Sequence, residues 1–214
     1  MEPNAFDQMI QTIALTMGAS FCAGINLYAT VFVLGALARF TSFDLPEELA
    51  FLMSDWVLWP ALALYTIEFV ADKVPAVDTA WDTVHTFIRV PAAAMLAANG
   101  LGDVPGEMQI LGGLLGGTLA LGTHTTKAAT RLVAHSTGTS PVVSPVVSVA
   151  EDVAVVSIMA FVVAYPVLSL FLLTMLTIGL IYIMFTLWKA VKFVFGRFFG
   201  RKTEEPQIIE PITA

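Results

Sequence analysis

Charge is what this sequence has least of. Of its 214 residues only 13% are charged, 57% are hydrophobic, and the mean hydropathy is +0.81. A soluble domain carries about twice that share of charge. The composition therefore excludes a disordered tail protein and a nucleic-acid-binding domain, and it speaks against an ordinary cytosolic enzyme. The little charge present leans acidic, with 10 Lys+Arg against 17 Asp+Glu, so no basic patch is left for a polyanion. Cysteine occurs once, at Cys22, which excludes an internal disulfide and a cysteine-based metal cluster. In its run of small apolar residues it reads as a small buried hydrophobe. Catalytic signatures are missing as well: no His-Glu-x-x-His, no Gly-x-Ser-x-Gly, no phosphate-binding glycine loop and no dinucleotide fingerprint. Neither an enzyme nor a bound metal or cofactor is expected. Residues 1–8 hold Glu2 and Asp7 but no Lys or Arg, so the first hydrophobic stretch is expected to remain in the mature protein.

Long apolar runs are what the chain does have. A membrane-spanning helix needs about 20 mostly apolar residues. Residues 8–38 carry no charge, which is longer than one crossing needs, and they include Gly18, Ser20, Gly24, Asn26, Thr30 and Gly35. Either this is one tilted helix, or it breaks near Gly24-Ile25-Asn26, and a break is tolerated at membrane depth only beside protein or water. After a polar connection over 39–48, a second apolar stretch covers 49–70, with Asp55 near its start and Glu68 near its end. Residues 76–90 differ. Asp78, Asp82, His85 and Arg89 fall at i, i+4, i+7 and i+11, one face of a helix, with Trp81, Val84 and Ile88 assigned to the other side. This amphipathic helix either lies in the membrane interface or continues through Pro91 with its polar stripe turned inward.

A turn cluster at 99–106 precedes charge-free 108–126, which contains Gly112, Gly113, Gly116 and Gly117. Such spacing lets helix backbones approach closely in lipid, and it offers a face for a second copy of the chain or a partner helix. The helix continues over 127–135. Ser140-Pro141 and Ser144-Pro145 suit helix starts. Residues 153–188 are again free of charge, enough for two crossings, with Tyr165-Pro166 as the turn. Lys189, Lys192, Arg197, Arg201 and Lys202, threaded among phenylalanines, hold half of all positive charge and place this end in the cytoplasm. The expected architecture is an all-α polytopic transmembrane helix bundle of five to seven segments. It forms one domain over 1–200 with a short polar tail at 201–214.

Ionisable side chains inside such segments mark function by default. On a helix His124, Lys127 or Ala128, Arg131 and His135 form a stripe flanked by Thr123, Thr126 and Thr130, a cationic hydroxyl-rich face suited to an anion. The alternative is a set of headgroup-level charges that fix topology. Glu151 and Asp152 offer a carboxylate for a proton or cation, or an ion pair to Lys127 or Arg131. Glu68, with Asp72 one turn on, reads as a buried functional or ion-paired group, whereas the 78–89 stripe also has the look of a solvated helix face. Residues 24–30 faintly echo 122–128, and each is followed by a proline-started helix bearing acids. Two such units in opposite orientation make an inverted repeat with broken helices, the plan of many transporters.

Three segments carry a family resemblance. They are Gly24-Ile25-Asn26-Leu27-Tyr28-Ala29-Thr30; Glu68 to Pro75 with Asp78, Trp81 and Asp82; and Gly122 to Ala128 with Ser140-Pro141, Glu151 and Asp152. They resemble domain-of-unknown-function family 4126, small bacterial integral membrane proteins, over residues 14–170. The resemblance implies a multi-pass protein of the bacterial inner membrane and supplies no activity, substrate or cofactor. From the residues themselves the leading expectation is a transporter or channel for a small polar or anionic solute, built on Asn26, Glu68, His124, Lys127, Arg131, Glu151 and Asp152. In it His124 and a carboxylate exchange protons while Lys127 and Arg131 hold the anion. The alternatives are a non-transporting scaffold packed through its glycine helix and, weakest, an interfacial enzyme using Asp78, Asp82 and His85 on lipid headgroups.

Overall fold

A computed structural model describes residues 5–136, 138 and 140–199. The tail expected at 201–214 lies outside these residues, as do the side chains of Asp78, His135 and Ser140. The described residues are helical, without strands: α1 (Ala5–Ile25), α2 (Leu27–Phe40), a 3-10 helix (Glu47–Met53), α3 (Asp55–Ala71), α4 (Pro75–Gly100), α5 (Gly106–Ser136), α6 (Ser140–Ala164) and α7 (Pro166–Phe199).

Of the two readings of the first apolar block, the break is found. Asn26 takes an extended conformation, its backbone N–H closes α1 on the Cys22 carbonyl at 2.8 Å, and its side-chain oxygen caps α2 by accepting from the Ala29 N–H at 2.9 Å. The second block, read as one stretch over 49–70, is instead bent by 62° between the 3-10 helix and α3. Extended Ser54 sits at the corner, and its carbonyl receives the first N–H groups of α3. The polar stripe belongs to a helix longer than 76–90. α4 runs through Pro91 to Gly100, because Ala93, Ala94 and Ala97 beyond the proline give it a small-residue face that packs on α5.

That packing uses the four glycines. A Cβ at Gly112 or Gly116 would collide with Leu101 or Ala97 of α4, and Gly113 and Gly117 lie against Ala94; Gly116 also meets Ser20 of α1. The face read as open to a second copy is occupied from within the chain. α1 packs against α2, α4, α5, α6 and α7. Contacts of Gly18 with Val162, Cys22 with Val155 and Asn26 with Asp152 show α1 and α6 running antiparallel, so the α1–α2 break lies halfway along α6. α2 then turns back alongside α3, with Gly35 on Leu58 and Arg39 paired to Asp55. The echo between 24–30 and 122–128 does not extend to the backbone. Asn26 caps a new helix, while His124 reaches across to α4 and α5 continues unbroken.

Among the described residues three helices are long and apolar enough to cross a membrane: α1, Ser144–Ala164 within α6, and Pro166–Thr186 within α7. Counted as one span, the bent pair of the 3-10 helix and α3 makes a fourth. Exposed Phe87, Met95, Leu114, Leu115, Phe171 and Tyr182 give the outer surface the apolar character that lipid requires.

Close approach makes one glycine indispensable. A Cβ on Gly24 would stand 1.7 Å from the Thr123 hydroxyl and 2.4 Å from the Ala120 carbonyl, whereas a Cβ on Gly179 meets nothing within 4 Å. Gly24→Ala is expected to cost about 1–3 kcal/mol, seen as a lowered thermal midpoint in detergent, whereas Gly179→Ala, in open space inside α7, is expected to hold or raise the midpoint, by about 1 kcal/mol at most.

Candidate functional site

Four helices converge on one polar cluster at the α1–α2 break. The last turn of α3 contributes Glu68, with Asp72 one turn further at its cap; α4 contributes Asp82 and Arg89; α5 contributes His124, Lys127 and Arg131; α6 contributes Glu151 and Asp152; and Asn26 stands at the break. Spacings of three, four and seven residues put the α3, α4 and α5 groups on the inward face of each helix, while Glu151 and Asp152 are neighbours in sequence that reach different partners.

Arg89 is fully buried and anchors the cluster. It pairs with Glu68, donates to Asp82 at 3.0 Å, and reaches His124 Nδ1 at 3.0 Å. A guanidinium can only donate, so Nδ1 accepts and the His124 proton sits on Nε2. From there it donates to the Thr86 hydroxyl at 2.6 Å, which donates to the Asp82 carbonyl at 2.7 Å. His124 is thus held neutral between two fixed partners. Both ring nitrogens, on which the expected proton exchange relies, are engaged by these partners.

Lys127 lies within ion-pair distance of four carboxylates: Glu151 at 3.4 Å, Glu68 and Asp72 at 3.5 Å, and Asp82 at 3.9 Å. It also donates to the Ile25 carbonyl at 3.1 Å. Arg131 pairs with Asp72 at 2.8 Å, Glu151 at 3.0 Å and Asp82 at 3.7 Å. Both cations are therefore engaged by the protein's own acids. The threonines do not face the site as expected: Thr123, Thr126 and Thr130 donate to carbonyls of the preceding turn of their own helix. The α5 hydroxyls thus bond within their own helix, and its cations meet carboxylates.

From Asp82 to Arg89 the stripe is no solvated face. Asp82, His85 and Arg89 are buried. His85 donates from Nδ1 to the Trp81 carbonyl at 2.7 Å, its ring is stacked on Trp81 at 4.0 Å, and the edge of Tyr28 meets it at 5.6 Å. Trp81 thus shares the side of His85, four residues on, while Val84 and Ile88 face outward as expected. Asp72, read beside Glu68 but not among the solute-site residues, belongs to the cluster, and so do Thr86 and Ser148, which escaped the sequence reading. Asp72 and Thr86 had a signal, since each follows an acid by four residues; Ser148 had none.

Among the described side chains five carboxylates meet three cations, and the Glu151 side chain, 15% exposed, is the most open of the acids. Glu68 Oε2, Asp72 Oδ1 and Asp152 Oδ2 are buried without a hydrogen-bond partner. No group of three or more His, Cys, Asp or Glu among the described residues is arranged to hold a metal ion.

Apolar helices folded around a buried ion-paired cluster define a helical, multi-pass membrane protein. The chain belongs to the family Domain of unknown function (DUF4126), whose sequence profile matches residues 13–186 and so takes in every residue of the cluster and much of α7. No curated protein and no solved structure is similar to it.

Removing one partner of a buried pair leaves an uncompensated charge. Arg89→Met is expected to cost about 3–5 kcal/mol, read as loss of folded protein in detergent. The double variant Glu68→Gln/Arg89→Met is expected to regain at least half of that stability.

Proposed function

We propose that this protein is a transporter or channel of the bacterial inner membrane for a small polar solute, with the ion-paired cluster as its site and no catalytic step. One observation carries the reading: a bundle with lipid-suited outer faces shelters ionisable groups from four helices beside a broken helix, where carboxylates outnumber cations. Buried ions of this number are costly and serve pathways in membrane proteins, and a helix break is placed where backbone lines a site. The charge balance favours a neutral or cationic solute over the anion suggested by Lys127 and Arg131 in isolation.

In this reading α4 and α5 cross the membrane with the helices already described, for five to seven segments in all. The acidic end, with Glu47, Glu48, Asp103 and Glu107, faces outward, where a Cβ at Gly102 would come within 3.7 Å of Glu48. The basic end of α7 lies in the cytoplasm, as the positive-inside rule directs.

Proteoliposome swelling tests the proposal, with urea as neutral probe, choline as cationic and lactate as anionic. Flux of urea or choline is expected, and Glu68→Gln/Arg89→Met is expected to reduce it about tenfold or more, equivalent to about 1.4 kcal/mol. Equal flux in the folded double variant, or no flux of any probe, contradicts the reading.

A further inference from the structure

Asp152 stands apart from the other acids of the cluster. Glu68, Asp72, Asp82 and Glu151 each lie in an ion pair with Arg89, Lys127 or Arg131, whereas Asp152 has no ion pair among the described residues. It is 7% exposed. Its Oδ1 accepts from the Asn26 side-chain amide at 3.1 Å, and its Oδ2 is buried without a partner. We propose that Asp152 is a proton-binding site whose occupancy is transmitted through Asn26 to the α1–α2 break.

The surroundings support a proton over other ligands. From α3, Tyr65, Glu68 and Asp72 face Asp152, and from α5, Lys127 does. Glu151 adjoins it on α6. α4 brings Asp82 and Arg89, both committed to ion pairs, and α1 brings Cys22 one turn away against Val155. α7 has no charged residue before Lys189. Lys127 acts on Asp152, and four other carboxylates already share that cation. A carboxylate buried this way needs a positive partner or neutralisation. A hard metal ion seeks about six or more oxygens, and no such group is assembled here; a proton needs only the free Oδ2.

Asn26 makes the event mechanical. Its amide nitrogen holds Asp152 while its amide oxygen caps the first turn of α2 through the Ala29 N–H. With Asp152 ionised, the bond from Asn26 is charge-assisted. Proton uptake at Oδ2 neutralises the carboxyl group and turns that bond into a neutral one, about half as strong, which loosens the hold on Asn26 and on the start of α2. Water reaching the cluster past Glu151, its most open acid, delivers and removes the proton.

The proposal shares the cluster with the transport reading but not its measurement. Infrared difference spectra of the full chain in lipid are recorded between two pH values above about 5, where exposed aspartates are already ionised. A carboxylic-acid C=O band is expected on the acid side. It should shift when aspartate carries a ¹³C carboxyl, disappear in Asp152→Asn and move in Asp152→Glu. No label-sensitive band in the wild-type chain, or a band that survives in Asp152→Asn, overturns the proposal. The labelled wild-type protein decides the matter even where a variant does not fold. A band without flux keeps the proton site and removes transport; flux without a band does the reverse.

Discussion

A guanidinium that cannot shed its proton, sealed inside an apolar bundle, sets the terms for everything around it. Arg89 is fully buried, and its acceptors come from three elements: Glu68 on α3, Asp82 on its own helix and His124 on α5. Those acids are themselves too costly to leave with one partner, so Lys127 reaches both, and with Arg131 it takes up Asp72 and Glu151. Each ion is tolerable because the next is present. The helices are held in one relative placement by electrostatic necessity as much as by packing.

The same charges suit the broken helix beside them. Lys127 donates to the Ile25 carbonyl at the C-terminal, partially negative end of α1. Asp152 lies through Asn26 at the N-terminal, partially positive end of α2. Cation and anion are each on the side that a helix dipole favours. Gly24 lets α5 come close enough for Lys127 to reach the break, since a side chain there would meet Ala120 and Thr123. A site joined to a break in this way can respond to its own occupancy, which a rigid helix pair of equal length cannot.

Much of this was legible in the sequence, and the rest was hidden for identifiable reasons. The near absence of charge gave the membrane class, and the intramembrane ions gave most of the cluster, because such residues are too expensive to be incidental. Gly24-Ile25-Asn26 announced the break through Asn26, a good cap. What periodicity does not carry is partnership across helices. Lys127 and Arg131 resemble an anion site on their own helix and become pair members once α3 and α6 arrive. The glycine ridge resembles an oligomer face until α4 is folded onto it. Trp81 was put opposite His85, although residues four apart share a side, and the bend at Ser54 had no proline or glycine of its own to give it away.

The central claim is that these ions meet one another inside the bilayer-embedded bundle. Solid-state NMR on the full chain in lipid bilayers tests it most directly, with ¹⁵N in the Arg89 guanidinium and ¹³C in the Glu68 carboxyl. A strong nitrogen–carbon dipolar correlation, insensitive to added salt because the pair is shielded from solvent, is the result this account requires. Its absence, or its loss in salt, would place the two groups apart or at the membrane surface and contradict the account.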